Sequence, residues 1–189
     1  MGEMRKKVSR IISVSILALV LMAVLMVLRA PSATLVPASA QDAKSFDEKL
    51  SSLEQAHPQG FSRTAHITEA ELTSKLQQGV DEIASDGGTI YLKAASVHLE
   101  GDNFVGIFTL SVSGKELYLT MTGTLGVLDG RLRIQPSAAK LGTLPIPAMA
   151  FRHILEKQFD SPESRERLRL PDFIKDVHIE NGELLVEAP

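Results

Sequence analysis

An uncharged apolar run near the N-terminus divides this chain into two unequal parts. Residues 11–28 contain no charged side chain and only two serines. As an α-helix the run would extend about 27 Å, close to the thickness of the hydrocarbon core of a bilayer. Four basic residues precede it (Arg5, Lys6, Lys7 and Arg10), and positive charge there favours a cytoplasmic N-terminus. We therefore expect residues 1–10 to be a cytoplasmic tail, residues 11–28 to be a transmembrane or signal-anchor helix, and the remainder to be extracytoplasmic.

The sequence after the apolar run leaves two fates open for the helix. The tripeptide Ala38-Ser39-Ala40 has the small-x-small form that signal peptidase accepts, and cleavage after Ala40 would give a secreted protein. However, the apolar run is longer than a usual signal core, and the candidate bond lies well beyond Leu28. These features favour a retained helix and a single-pass protein of the cell membrane.

The charge balance of the exported part disfavours nucleic acid as a partner. Five of the 20 basic residues and one of the 23 acidic residues lie in the first 40 positions, which leaves the remainder with a net charge of −7. Nucleic-acid binding draws most of its affinity from clustered lysine and arginine side chains. We therefore expect no nucleic-acid partner. The chain has no cysteine, which excludes disulfides and thiolate chemistry.

Helical patterns occur on both sides of a predicted domain boundary. Residues 29–62 are rich in Ala, Ser and Pro and are predicted to be a juxtamembrane linker, with one stalk helix starting at a capping box of Ser45 and Glu48. The folded domain is predicted to span residues 63–189. Its first helix starts at a capping box of Thr68 and Glu71. The apolar stripe of that helix comprises Leu72, Leu76, Val80 and Ile83.

From residue 89 onward, apolar residues recur at every second position, which is typical of strands with one apolar face. A change of parity near Ala95 and Ser96 indicates a β-bulge. Residues 149–159 have the pattern of a second amphipathic helix. Tight turns between consecutive strands are predicted at Ser113-Gly114, Asp129-Gly130 and Asn181-Gly182. The predicted fold is therefore α+β: a curved antiparallel meander of four to six strands packed on two amphipathic helices.

The polar residues form no recognisable catalytic pattern. Two His-x-Glu pairs, at His98 and at His178, could each offer an imidazole and a carboxylate on one strand face, but no spacing supplies a third metal ligand. The sequence has no nucleophile elbow, Ser-x-x-Lys motif or phosphate-binding loop. We therefore expect a non-enzymatic protein without a metal or another cofactor.

Apolar residues of the central strand and of the second helix have two interpretations. They either fill a closed core or line an apolar groove that would bind lipid. The candidate lipid contacts are Leu119, Met121, Leu125, Phe151, Leu155 and Phe159. Nearby basic residues could bind an anionic head group, although a charged strand face is also typical of a solvated surface. The candidate head-group contacts are Arg131, Arg133 and Arg152.

Three segments of the domain resemble a known group of proteins. They are residues 67–76 (ITEAELTSKL), residues 119–147 (LTMTGTLGVLDGRLRIQPSAAKLGTLPIP) and residues 173–189 (FIKDVHIENGELLVEAP). With the N-terminal anchor, they resemble uncharacterised membrane-anchored bacterial envelope families that are similar to tubular lipid-binding and AsmA-like proteins. The resemblance covers residues 63–189. It implies an elongated curved sheet on helices with an apolar concavity suited to lipid, and it carries over no catalytic residue.

Two functions follow as expectations. The first is a non-enzymatic, membrane-anchored extracytoplasmic protein that binds a membrane lipid or a lipid-linked glycan precursor and supports cell-envelope assembly. The alternative is a protein–protein interaction module of an envelope complex. Such a module would have a fully packed core and no ligand groove, and would recognise an envelope protein by strand addition.

Overall fold

The computed structural model describes residues 21–30, 34–56, 63–83, 90–147, 149 and 168–188. Three helical segments are present in these ranges: α1 (residues 21–27), α2 (Ala40–Ala56) and α3 (Glu69–Ile83). The start of the predicted N-terminal helix, residues 11–20, and nearly all of the predicted second amphipathic helix, residues 149–159, lie outside the described residues. Among the residues that are described, no helix is long and apolar enough to cross a membrane.

The domain is α+β with two antiparallel sheets. The strands are β1 (Arg63–Ile67), β2 (Ile90–Glu100), β3 (Asn103–Val112), β4 (Lys115–Leu128), β5 (Arg131–Leu141), β6 (Leu144–Pro145), β7 (Asp176–Glu180) and β8 (Glu183–Ala188). Strands β2 to β6 form a five-stranded meander in chain order, as the pattern predicts. The other three strands form a second sheet in the order β1-β8-β7.

The three predicted tight turns are confirmed. In each pair, Ser113-Gly114, Asp129-Gly130 and Asn181-Gly182, both residues have a positive φ angle between 50° and 81°. Two central residues with positive φ define a type I′ turn, whose twist matches the twist of the flanking strands. Hairpin formation is thus specified locally by the turn sequence.

The prediction of a single meander was incomplete, because it missed β1. This strand has five residues, of which only Ala65 and Ile67 are buried. Its partner β8 is more than 100 residues away in the chain, with Ala65 opposite Val186 and Ile67 opposite Leu184. A short strand of this kind has too little alternation to be recognised before its partner is known.

The core lies between the two sheets. The buried face of the five-stranded sheet and the inner face of the three-stranded sheet contribute to one cluster, which includes Leu99, Met121 and Val186. Leu53 of α2 belongs to the same cluster and is only 2% exposed. The packed unit therefore starts before residue 63, within the segment that the sequence predicted to be a linker.

Two local predictions are corrected by the structure. Helix α2 begins at Ala40 rather than at Ser45, and its N-cap is Ser39, whose Oγ accepts a hydrogen bond from the N–H of Asp42 at 3.0 Å. The bulge in β2 lies between Leu92 and Ala94, slightly earlier than the predicted position.

Candidate functional site

Helix α3 lies along the outer edge of β2 and hydrogen-bonds to its backbone. Three side chains spaced four residues apart accept from alternate N–H groups of the strand. Glu69 Oε1 accepts from Leu99 at 2.6 Å, Thr73 Oγ1 accepts from Val97 at 2.9 Å, and Gln77 Oε1 accepts from Ala95 at 3.1 Å. Residues four apart share one helix face, and alternate strand residues point their backbone to the same side. The helix therefore occupies the edge where another strand could have paired.

This arrangement gives α3 a polar buried face, contrary to the sequence prediction. Thr73 is 1% exposed, whereas Leu76, predicted to lie on a buried stripe, is 38% exposed. Val80 is buried as predicted. The spacing of apolar residues in α3 therefore predicted the wrong buried face. The helix packs against a strand edge, and polar side chains face that edge because its backbone groups need hydrogen-bond partners.

Glu71 connects α3 to α2. Its carboxylate accepts hydrogen bonds from the Thr68 N–H (2.9 Å), from Ser45 Oγ (2.5 Å) and from Lys49 Nζ (2.7 Å). The Glu71 N–H donates in turn to Thr68 Oγ1 at 3.3 Å, which confirms the predicted capping box. Burial alone would raise the pKa of Glu71, but the hydrogen bonds from Lys49, Ser45 and Thr68 and the charge of Lys49 lower it to about 2.

Residues 34–39, named the strap here, bind the N-terminal part of the chain to the domain. The Val36 N–H donates to Ser96 Oγ at 2.9 Å, and the carbonyl of Thr34 lies 2.7 Å from His98 Nε2. The Ser39 N–H donates to Ser74 Oγ at 2.9 Å. Cleavage after Ala40 would remove all of these contacts and the N-cap of α2.

The C-terminal end of α1 contacts the turn between β5 and β6. The carbonyl of Met26 accepts from the Thr143 N–H (2.8 Å) and from Thr143 Oγ1 (3.1 Å). Gly142 approaches so closely that a Cβ atom there would lie 2.3 Å from the Met26 oxygen. The preceding apolar residues of α1 are not packed on the domain: Leu21, Met22, Val24 and Leu25 are between 48% and 62% exposed. The helix therefore presents an apolar surface that the domain does not cover.

The predicted lipid contacts on β4 share one face of the sheet but differ in burial. Met121 is 8% exposed and belongs to the core cluster, and Leu125 packs against that cluster. Leu119 is half-buried and lies outside the cluster, opposite Leu141 of β5. Five other half-buried leucines outside the cluster share its face. Together these six residues form what we name the proximal row: Leu92, Leu110, Leu117, Leu119, Leu141 and Leu144.

The structure does not bring the predicted basic residues to this row. Arg131 and Arg133 are exposed and alternate with the half-buried Leu132 and Ile134, so they lie on the opposite face of β5. They also lie at the far end of the sheet, beside the turn from β4 to β5. The remaining candidates, Phe151, Arg152, Leu155 and Phe159, are outside the described residues.

The histidines of the two His-x-Glu pairs have local partners. His98 Nδ1 lies 3.5 Å from Glu69 Oε2, so this ring lies between α3 and the strap. His178 lies 3.0 Å from Asp176 and 3.8 Å from Glu180 on the outer face of β7. In the part of the chain that the structure describes, no three His, Asp or Glu side chains are grouped closely enough to hold a metal ion.

Comparison with known proteins identifies no relative. No protein-family model matches the chain, and neither a curated protein nor a solved structure matches it. The resemblance to envelope families therefore remains a prediction, and the functional argument depends on the geometry of the domain.

Proposed function

We propose that the protein is a membrane-anchored, extracytoplasmic lipid-binding protein without enzymatic activity, which supports assembly of the cell envelope. The observation that supports this function best is the position of the proximal row beside the end of α1. A lipid or a lipid-linked glycan precursor would place its acyl portion against this row.

The path from α1 to the proximal row is short. Met26 of α1 contacts Thr143, and the adjacent Gly142 donates its N–H to the carbonyl of Tyr118 at 2.6 Å. The next residues along the two strands are Leu141 and Leu119, which pair across the sheet. If α1 continues into the bilayer, an acyl chain leaving the membrane meets these two leucines first.

The shape of the row also suits an acyl chain. Its six members are leucines that span all five strands of the sheet, whose spacing of about 4.8 Å makes the row roughly 19 Å long. A lipid could contact these half-buried side chains without opening the closed core, so no core packing would be lost. By contrast, Met121 lies within the closed core, so the row is the part of the predicted lipid surface that retains access.

The rival function, an interaction module that adds a partner strand, finds the β2 edge already occupied. Strand addition needs an open sheet edge, and Glu69, Thr73 and Gln77 accept from the N–H groups of β2. A partner strand at β2 would have to displace α3, which is also held by the Glu71 contacts to α2, so strand addition would have to use another edge strand, such as β7.

The test compares Leu119→Ala with Met121→Ala in the full chain, purified from membranes in mild detergent. Native mass spectrometry would detect co-purified lipid, and displacement of a fluorescent fatty-acyl probe would measure affinity. We expect Leu119→Ala to weaken probe binding at least several-fold with a small loss of stability. Met121→Ala should destabilise the domain by about 2 to 5 kcal/mol, because it leaves a cavity in the core. Absence of both co-purified lipid and probe binding in the parent protein would contradict the proposal and favour the interaction module.

A further inference from the structure

We propose that the end of the five-stranded sheet beside α1 rests on the bilayer surface, so that Tyr91 and Tyr118 lie at the level of the lipid head groups. This inference rests on the retained anchor of the proposed function, but it concerns the orientation of the domain and not its ligand.

The first argument is the hydrogen-bonded junction between α1 and the sheet. The Met26 carbonyl accepts two hydrogen bonds from Thr143, and Gly142 contacts the helix end directly. The exposed apolar side chains of the preceding turns need a lipid environment, since a soluble domain rarely exposes so continuous an apolar surface. The helix end then lies at the outer limit of the hydrocarbon core. The β5–β6 turn must lie within a few ångströms of that boundary.

The second argument is that Tyr91 and Tyr118 both lie at this end of the sheet. Tyr118 is bonded through its carbonyl to Gly142, so it lies next to the junction. Tyr91 pairs with Ser111 of β3, which also pairs with Glu116 of β4. The Tyr118 hydroxyl donates to Glu116 at 3.1 Å, and Glu116 forms an ion pair with Lys93. The two tyrosines therefore lie on the same face of the sheet, and Glu116, which bonds Tyr118, lies in line with Tyr91 across β3.

These are the only two tyrosines of the chain, which has no tryptophan. Tyrosine has an apolar ring and a polar tip and is enriched where a membrane meets water. Tyr91 is 41% exposed although its ring is large and apolar. The hydrogen bond to Glu116 raises the pKa of Tyr118 above its ordinary value. The interfacial layer is about 5 to 7 Å thick on each side of a bilayer, enough to hold such side chains.

The third argument is the distribution of charge along the domain. Exposed basic residues at the junction end are Arg29, Lys115 and Lys140. The opposite end joins the β2–β3 and β7–β8 turns through a hydrogen bond from Gly182 to Gly101. The acidic residues grouped around that contact are Glu100, Asp102, Glu180 and Glu183. Arg131 and Arg133 also lie at the opposite end and Glu116 at the junction end, so the difference between the ends is one of net charge. Anionic head groups would attract the junction end more than the opposite end, which favours the same orientation.

The intrinsic fluorescence of the protein gives a direct test, because only Tyr91 and Tyr118 contribute to it. The full chain would be reconstituted in vesicles of phosphatidylcholine and phosphatidylglycerol. Nitroxide-labelled lipids carrying the label either near the head group or near the acyl end would be compared with the aqueous quencher acrylamide. We expect the shallow nitroxide to quench the tyrosines at least about twofold more than the deep one. Tyr91→Phe and Tyr118→Phe would show the contribution of each residue.

A tyrosine at the opposite end provides the matched control. In the background with both Tyr91→Phe and Tyr118→Phe, the substitution Asp102→Tyr places one fluorophore in the exposed β2–β3 turn. We expect acrylamide, but neither lipid label, to quench it. Equal responses of native and control tyrosines to the lipid labels would overturn the orientation.

The outcomes separate this inference from the proposed function. Shallow quenching without probe binding would support the orientation and contradict lipid uptake by the proximal row. Probe binding together with tyrosines reached only by acrylamide would overturn the orientation and leave lipid uptake supported.

Discussion

The hydroxyl of Thr73 accepts a hydrogen bond from the N–H of Val97 at 2.9 Å and donates one to the carbonyl of the same residue at 3.2 Å. A single helical side chain thus makes both contacts that a neighbouring strand would make at this position. Glu69 and Gln77 extend the pattern one helical turn in each direction. The open edge of a sheet promotes association with other chains, and α3 removes that edge without adding a strand.

Thr73→Val should destabilise the domain by about 2 kcal/mol or more. Valine has nearly the same shape but leaves the N–H and carbonyl of Val97 without this partner at a buried site, and each such group costs about 1 to 3 kcal/mol. Thr73→Ser keeps the hydroxyl and loses one methyl group, so it should cost about 1 kcal/mol. Urea unfolding of the full chain in detergent would measure both, and equal losses would contradict the double hydrogen bond.

Leu76 and Val80 provide a test of the facing of α3. Leu76→Asp should change the unfolding free energy by less than about 1 kcal/mol, because the side chain is 38% exposed. Val80→Asp should cost several kcal/mol, because it buries an unpaired charge at a site that is 5% exposed. Thermal melts of the two variants should differ clearly. A larger loss for Leu76→Asp would mean that Leu76 is buried, as the sequence predicted, and would contradict its exposed position in the structure.

Glu71 should make stability depend on acid pH. Its pKa falls from an ordinary 4.5 to about 2 in the folded state. Above pH 4.5 the carboxylate is ionised in both states and its contribution, at most about 3 kcal/mol, is complete. As the pH falls from 4.5 towards 2, the unfolded state takes up a proton first, and the contribution is lost.

Glu71→Gln is the matched variant for this effect. We expect it to destabilise the domain at about pH 6 and to differ much less from the parent at about pH 3, in urea unfolding at both values. A constant difference between the two proteins over this range would contradict the lowered pKa of Glu71.

Alanine substitutions at Gly142 and Gly114 separate the effect of the α1 contact from the effect of backbone strain in a turn. Both have positive φ, 60° and 81°, so alanine strains the backbone at either position. Only at Gly142 would the added Cβ clash with α1, at 2.3 Å from the Met26 oxygen. Gly142→Ala should therefore cost more stability than Gly114→Ala and should increase protease cleavage between α1 and the strap. Equal effects would indicate that α1 is not held against the turn.

The predicted topology can be tested with reporter fusions. The basic residues before the apolar run predict that the domain is extracytoplasmic. Reporters that are active only inside or only outside the cytoplasm, fused after Pro189, should show external activity. The size of the fusion protein would also show whether the bond after Ala40 is cut. Activity of the cytoplasmic reporter would contradict the predicted orientation.

Local chemistry explains which features of the fold could be predicted. The turn pairs and the Thr68–Glu71 capping box depend on neighbouring residues, and the structure confirms them. The extent of β3 and β4 also follows from alternation along the chain, but on β3 the polar Thr109 and Ser111 are buried, whereas Phe108 and Leu110 are half-buried. Predictions failed where a residue's environment comes from a distant segment, as for Leu76 and for the docking of α2 through Leu53.

Predictions about the candidate site also succeeded where they depended on neighbouring residues and failed where they depended on distant segments. The sequence predicted that Leu119, Met121 and Leu125 share an apolar face, because alternate residues of a strand point to the same side. It could not separate the open Leu119 from the closed Met121, since the covering sheet contains β1 and β8, which come from the two ends of the domain. It placed Arg131 and Arg133 on the outward side of their strand, which the burial pattern confirms, but only the register shows that they lie at the far end of the sheet from Leu119.

By itself, then, the sequence determined the apolar N-terminal run, the type I′ hairpins and the α+β class, because each depends on residues that are adjacent in the chain. Only the tertiary structure decided that α3 presents Glu69, Thr73 and Gln77 to β2, and that α1 ends against Gly142. These contacts satisfy backbone groups that still lack hydrogen-bond partners once the sheets have formed. The spacing of apolar residues in the sequence does not show which backbone groups those are.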